Sequence, residues 1–330
     1  IKIQQFDFIP TEKALERLMK LLYYIESNVP VILEGPTGTS KTLSVEIICN
    51  YTKRKMIRFN LSSETKIADF LGKYINDSNS WAGIQTVPGP FIDAYEKGYT
   101  LLLDEMNLAS PDCLQFIEDA LDSGVISVEV SNMPLREIKM HKDFRLIATQ
   151  NPNKDFYVHK RKDFTKKFLS RFQVINFLEF EDDELLEIAI ELAKKNYFND
   201  IDLIKDLVKF HIDCKSLTEN DNDIRCYTVR EIAATVKALS KKENIYDTIM
   251  TIYGARYQKE KKNEIEKMLR KYQNFKDCKP SDNFCYPRGF PECFHNDSLS
   301  NVMRSVKFSF DNHRPVILIG SEGSGLTQVA

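Results

Sequence analysis

The sequence predicts an α/β protein in which a five-stranded parallel sheet carries helices on both faces and is followed by a small all-helical domain. Five short apolar runs alternate with helical patterns, at residues 31–33, 56–59, 101–103, 146–148 and 174–177. From residue 182 to about 272, apolar residues recur at three- and four-residue spacings, which is the period of helices alone. The first apolar run passes directly into a glycine-containing turn and then a helix, as expected of a central strand in such a sheet.

Composition limits the classes of protein to consider. The 330 residues are 42% hydrophobic and 28% charged, which is typical of a globular chain with about two domains. The net charge of −2 provides no overall field for nucleic acid, so we expect no sequence-specific nucleic-acid binding. Seven cysteines without short spacings favour reduced thiols in an intracellular protein. No run of about 18 apolar residues is present, so we expect no membrane span.

The turn after the first strand has the pattern of a phosphate-binding loop. Its residues are Gly35, Pro36, Thr37, Gly38, Thr39, Ser40, Lys41 and Thr42. The glycines allow the backbone N–H groups to curl around phosphate oxygens at the start of the next helix. In this pattern Lys41 reaches the β- and γ-phosphates and the Thr42 hydroxyl binds Mg²⁺. Ser40 departs from the pattern, which has glycine there, and its Cβ affects the loop geometry.

Two acids follow the apolar run that begins at residue 100. Asp104, at the tip of this predicted strand, is placed to hold Mg²⁺ through water, and Glu105 to polarise an attacking water. A kinase would instead place its base near an acceptor hydroxyl, and small GTPases commonly use glutamine. The pair therefore indicates nucleotide hydrolysis.

Two further polar residues lie beside predicted strands. Asn151 follows the strand over residues 144–150 and is a candidate to hydrogen-bond both the γ-phosphate and the attacking water. Arg171 stands between aromatic residues just before the last strand. In an oligomer it would act on the γ-phosphate of a neighbouring site, and otherwise it is a surface arginine in an ion pair.

The sequence also contains an internal repeat. The segment from Pro30 to Gly35 recurs 285 residues later, from Pro315 to Gly320, and a helical pattern precedes both copies. A period of this length indicates tandem domains rather than a short solenoid repeat. The second copy has Leu326 in place of Lys41, so we expect it to bind nucleotide poorly or without turnover. The sequence begins at Ile1 and ends inside this repeat, and we therefore expect a fragment of a longer chain.

Taken in order, these elements resemble AAA+ ATPases with a P-loop NTPase fold, and more narrowly the midasin and dynein-related group, which includes MoxR-type proteins. The similar strings lie at residues 101–109, at 145–152, and at 159–163 continuing to 170–172. The resemblance implies ATP and Mg²⁺ as cofactors, Asn151 as sensor 1, and Arg171 as an arginine finger acting in trans. It also implies that Arg230, in the helical lid, is sensor 2 for its own or a neighbouring site.

The same resemblance implies partners and a location. The implied partners are neighbouring modules or subunits in a ring and a protein or ribonucleoprotein client. A midasin-like role implies ribosome assembly in the nucleus, and any other role in the group a cytoplasmic protein. Two alternatives stay open: a nucleotide-binding module that does not cycle, and a GTP-dependent motor of the same group.

The predicted domain organisation has five parts. Residues 1–29 form a linker and helix, 30–180 the large α/β domain, 181–275 the helical lid, 276–297 a linker, and 298–330 the start of a second, degenerate module. Two inserts interrupt the large domain. Residues 72–90 resemble the helix 2 insertion of the group, within which Trp81 is more typical of a packed residue than of a substrate contact. Residues 125–140 resemble a hairpin before sensor 1.

Two polar clusters have simpler interpretations than a ligand site. The basic run at residues 159–162, with Lys166 and Lys167, is interrupted by acids, and we interpret it as an intersubunit loop rather than a nucleic-acid patch. Cys278, Cys285, Cys293 and His295 are separated by spacings that do not match the usual paired zinc ligands, so we expect no zinc site.

Overall fold

A computed structural model describes residues 8–76, 84–128, 136–152, 164–218, 227–254, 257, 259–281, 297–311 and 316. The chain divides into two compact units, Ile1–Phe180 and Glu181–Ala330. Within the described residues, no helix is both long and apolar enough to cross a membrane.

The first unit is built on a parallel sheet of the predicted kind. Its five strands are β1 (Val31–Glu34), β2 (Met56–Asn60), β5 (Thr100–Asp104), β8 (Arg145–Gln150) and β9 (Gln173–Asn176). They lie in the order β2-β5-β8-β1-β9, and every neighbouring pair is parallel. The predicted five-stranded parallel sheet is therefore confirmed, and each strand overlaps the apolar run that predicted it.

Helices cover both faces of this sheet. Successive side chains of a strand point to opposite faces, and in the central strands the side chains on both faces are apolar. On one face Leu101, Leu103 and Leu146 pack with α4 (Pro90–Lys97) and α5 (Pro111–Ser123). On the other face the intervening residues, such as Leu102 and Ile147, pack with α1 (Glu12–Glu26) and α2 (Lys41–Tyr51). The central strands are buried from both sides, which is why they have almost no polar residues before their carboxyl ends.

Two antiparallel strand pairs interrupt the large unit. After the short helix α3 (Ile67–Leu71), β3 (Gly72–Asn76) pairs with β4 (Ile84–Pro88) within the predicted 72–90 insert. The hairpin expected at residues 125–140 is present as β6 (Val125–Val128) and β7 (Arg136–Lys139). Trp81 and residues 129–135 lie outside the described residues. A short helix, α6 (Lys166–Leu169), precedes β9.

The second unit is helical where it is described. Its helices are α7 (Asp182–Lys195), α8 (Ile201–Thr218), α9 (Val229–Ser240), α10 (Ile245–Ile252), α11 (Lys259–Leu269) and α12 (Asp297–Asp311). The helix α12 corresponds to the helical pattern expected before the second repeat. Residues 282–296 of the predicted 276–297 linker and the predicted second loop, including Leu326, lie outside the described residues.

A buried polar contact joins two helices of the second unit. His211 on α8 is 1% exposed, and its Nδ1 lies 3.0 Å from the Tyr253 hydroxyl just after α10. Burial lowers the pKa of His211 from 6.5 to about 4, against the opposing effect of Glu231 and with the help of Lys215. The folded unit therefore holds this imidazole neutral at pH values where the unfolded chain protonates it.

The His211 contact predicts a pH-dependent stability. Because the pKa falls from 6.5 to about 4 on folding, the unfolded state binds more protons between these values, and the free energy of unfolding should drop by about 2 kcal/mol from pH 7 to pH 5. Urea unfolding followed by circular dichroism measures this loss. His211→Asn should remove most of it, whereas His141→Asn, at a side chain 41% exposed, should retain it. An equal pH dependence in wild type and His211→Asn would contradict the assignment.

Candidate nucleotide-binding site

The predicted phosphate loop connects β1 to α2, and its first glycine is required by packing. A Cβ at Gly35 would lie 2.0 Å from the main-chain oxygen of Phe177, which is too close for any side chain. Gly38 has a φ of 90°, a backbone conformation that favours glycine. The loop is therefore held in its curled form by neighbouring backbone and by its own glycines.

Lys41 places its ammonium inside this curl. Its Nζ donates to the carbonyl oxygens of Gly35 at 2.6 Å and Pro36 at 2.8 Å, and to Oδ1 of Asn151 at 2.7 Å. Thr39 closes the turn from within by donating its hydroxyl to the Pro36 oxygen at 2.9 Å. The ammonium is thus brought together with the predicted sensor asparagine, which lies 110 residues further along the chain.

The remaining loop residues lie between the two glycines and in the first turn of α2. Thr42 is in the first turn of α2, directly after Lys41, and is partly buried. Thr37, between the two glycines, is also partly buried. Ser40, the residue before α2, has a φ of 65°, in the left-handed region.

The two predicted acids lie at the end of β5, next to β8. One oxygen of the Asp104 carboxylate accepts a hydrogen bond from the Thr149 hydroxyl, and the other accepts from the Arg58 guanidinium, with Nε at 3.0 Å. Glu105 has a φ of 56° and donates its backbone N–H to the Thr149 hydroxyl at 3.1 Å. The Asn151 amide donates to the Glu105 carboxylate.

These contacts form one connected group of polar side chains. Asn151 bridges Lys41 and Glu105, and Thr149 links Glu105 to Asp104. Asn107 donates to the Asn151 carbonyl at 2.8 Å and so holds the turn after β8. Three chain segments separated in sequence therefore meet at the carboxyl edge of the sheet, which is where open α/β sheets bind their ligands.

Sequence reasoning did not single out Arg58, Thr149 or Asn107. A usable signal existed for Thr149, because it is a polar residue directly after the apolar run at 146–148, near the carboxyl end of its strand and two positions before Asn151. Arg58 carried no comparable signal, since its strand β2 is at the sheet edge, where polar residues are common.

Arg171 makes its contacts on α5. Its guanidinium donates to Asp122, with Nε at 2.7 Å, and its Nη2 lies 2.9 Å from Glu118. The hydrogen bond between Arg171 and Asp122 raises the pKa of the arginine and lowers the pKa of the aspartate. Lys167 also pairs with Glu118, at 2.6 Å. Within its own unit, Arg171 is thus an ion-paired arginine, and its action in trans stays a prediction.

Arg230 belongs to the helical unit. It is exposed in the first turn of α9, beside a capping box in which the Thr228 N–H donates to the Glu231 carboxylate at 2.7 Å. Its role as sensor 2 stays a prediction.

The structure describes only part of the basic cluster near residue 160 and of the cysteine and histidine group that begins at Cys278. The basic run at 159–162 lies outside the described residues, as do Cys285, Cys293 and His295. Among the residues that the structure does describe, no group of three or more His, Cys, Asp or Glu side chains is arranged to hold a metal ion.

Comparison with known proteins identifies the family. Residues 30–172 match the profile of the AAA domain of the dynein-related subfamily. A midasin from Dictyostelium discoideum is 34% identical over 204 residues, which is 57% of this chain and 3% of that protein. A midasin from Giardia intestinalis is 26% identical over 191 residues, covering 58% of this chain and 4% of its own. The chain thus spans only a small part of the midasins it matches.

Shorter relatives match over most of their length. An uncharacterised protein from Staphylococcus epidermidis is 30% identical over 223 residues, which is 67% of this chain and 78% of that protein. A crystallographically solved chain from Cytophaga hutchinsonii has a TM-score of 0.44 at 18% identity, covering 80% of this chain and 91% of its own. On the match to the family profile and the Staphylococcus relative, the chain belongs to the dynein-related subfamily of AAA ATPases.

Proposed function

We propose that the first unit binds ATP at Gly35–Thr42 and hydrolyses it. The observation that carries this proposal is the hydrogen-bonded line from Lys41 through Asn151 to Glu105, beside the carboxylate of Asp104. It joins a phosphate-binding ammonium, a γ-phosphate sensor and a candidate base in one group. A loop that only bound phosphate would have no need of the two acids at the end of β5.

The residues fit a magnesium-bound triphosphate. The curl that excludes a Cβ at Gly35 leaves backbone N–H groups for phosphate oxygens, and the Lys41 ammonium already lies within it. The Thr42 hydroxyl and the Asp104 carboxylate are the oxygen donors that Mg²⁺ prefers. When bound, the ion neutralises charge on the transferring phosphoryl group.

In this proposal Glu105 accepts the proton of the attacking water. The Asn151 amide donates to its carboxylate and orients it, and this same side chain contacts Lys41 at the phosphate position. One residue thereby couples the location of the γ-phosphate to that of the base. Asn151 is 6% exposed, so bulk water does not compete for these bonds.

The wider role that we propose is one module of a tandem ring that remodels a protein or ribonucleoprotein client. The repeat of the loop at Gly320 supports tandem modules. Arg171 would serve a neighbouring site by exchanging Asp122 and Glu118 for a γ-phosphate. The likeness to midasins supports a midasin-like role, with the nuclear location that this implies, over the other roles of the group.

Glu105→Gln tests the catalytic assignment. The amide cannot accept the water proton but keeps the shape of the side chain, so ATP affinity should stay within about threefold while phosphate release falls by about 100-fold or more. Both are measured on the full-length protein, because Arg171 is expected to act between modules. Glu64→Gln, at an exposed loop position, is the matched control and should retain turnover. Normal turnover in Glu105→Gln would refute the proposal.

A second candidate is a module that binds nucleotide without cycling, and Ser40 favours it. A left-handed backbone costs a residue with a Cβ about 1–2 kcal/mol relative to its preferred conformations. The second copy of the loop has Gly325 at the corresponding position. Steady-state phosphate release by the assembled wild-type protein distinguishes the two candidates, since tight binding without release would support the non-cycling module.

Ser40→Gly tests whether the loop is strained. Glycine adopts a φ of 65° without the Cβ clash, which favours the folded state of the variant. The greater conformational entropy of glycine in the unfolded chain offsets part of this gain, so the free energy of unfolding should rise by about 0.5–1 kcal/mol. Ser40→Ala keeps the Cβ and is the matched control, so it should give no such gain. Urea unfolding of both variants measures the difference, and an equal gain in both would show that the serine hydroxyl, not the backbone, is unfavourable.

A further inference from the structure

One buried hydroxyl holds both acids of the candidate site. Thr149 is 2% exposed and lies on β8. It is level with Asp104 at the end of β5, because the residues that precede these two, Ala148 and Leu103, are paired in the sheet. Its oxygen accepts a hydrogen bond from the backbone N–H of Glu105 at 3.1 Å, and its O–H group donates a hydrogen bond to the Asp104 carboxylate. The donor and the acceptor functions of the hydroxyl are thus directed at two consecutive residues.

The bond to Glu105 opposes a conformational strain. Glu105 has a φ of 56°, which a residue with a Cβ adopts only at a cost of about 1–2 kcal/mol. The peptide between Asp104 and Glu105 would relax towards a common backbone conformation if its N–H were released. That relaxation would turn the two carboxylates away from the positions that the loop and Asn151 require.

Arg58, the other partner of Asp104, is a weaker restraint. Its side chain is 46% exposed, so water and salt screen its attraction to the carboxylate. It also has no bond to the Glu105 backbone among its described contacts. The Thr149 hydroxyl is shielded from water, where hydrogen bonds are stronger and their loss is more costly.

We propose that Thr149 is a positioning residue that fixes Asp104 and Glu105 through its hydroxyl and thereby sets how strongly Mg²⁺ enhances ATP binding. This inference rests on the proposed function. Displacement of Asp104 should weaken the magnesium-dependent part of ATP affinity and leave the part due to the loop and Lys41 unchanged. Displacement of Glu105 should lower kcat more than it raises KM.

The test compares Thr149→Val and Thr149→Ala with Thr149→Ser. Valine keeps the volume and alanine avoids its second methyl, so the two together separate loss of the hydroxyl from altered packing. The matched control is Thr100→Val, a fully buried threonine at the opposite end of β5 from Asp104. Circular dichroism and urea unfolding of the full-length variants establish that each is folded.

The readout is the ratio of ATP dissociation constants in EDTA and in saturating Mg²⁺. Loss of one buried hydrogen bond to a charged group should lower this ratio about tenfold in Thr149→Val and Thr149→Ala, with ATP affinity in EDTA within about twofold of wild type. The kcat should fall about tenfold or more in the same variants. Thr149→Ser should recover both quantities to within about threefold, and Thr100→Val should leave both unchanged.

Three results would overturn the proposal. The first is a ratio of ATP dissociation constants in EDTA and in Mg²⁺ that is the same in folded Thr149→Val and Thr149→Ala as in the wild type. The second is a Thr149→Ser variant as defective as Thr149→Val, which would assign the effect to the methyl group. The third is a wild-type protein that does not bind ATP in Mg²⁺ or in EDTA, which would refute the proposed function itself and this inference with it.

Discussion

The candidate site depends on the register of three parallel strands. Glu34 of β1 is level with Gln150 of β8, and Leu103 of β5 is level with Ala148. The loop, the acids and Asn151 therefore leave the sheet side by side at one edge. Because side chains alternate along a strand, a shift of one residue in either pairing would turn Thr149 or Asp104 to the opposite face. No contact within the site could compensate for such a shift.

Apolar packing on both faces fixes this register. Ile32 belongs to the core on the α4 and α5 side, and its neighbours Val31 and Leu33 belong to the core on the α1 and α2 side. The side chains of β1 therefore alternate between two cores, and a slip of one residue would place each of them in the wrong core. Burial of such residues stabilises by about 1.5–3 kcal/mol each, and they far outnumber the polar contacts of the site, each of which contributes at most a similar amount. The polar groups can therefore be arranged for chemistry rather than for stability.

The sequence predicted those features that depend on local pattern. The five strands follow from apolar runs, the loop from its glycines and lysine, and the candidate roles of Asp104, Glu105 and Asn151 from their positions at the ends of predicted strands. Thr149 was missed because its importance comes from the neighbouring strand, which is 45 residues distant in sequence. The partners of Arg171 on α5 are of the same kind, since that helix and the turn before β9 meet only in the folded unit and leave no trace in local spacing.

The left-handed backbone at Ser40 has a meaning beyond its own loop. The first copy of the motif keeps the ammonium at Lys41 and accepts an unfavourable backbone before it, whereas the second has Gly325 for the backbone and Leu326 in place of the charge. Neither copy contains the complete pattern. Shape and charge in a phosphate loop are therefore separable properties, and each copy of the pattern in this sequence has the residue for one of them without the residue for the other.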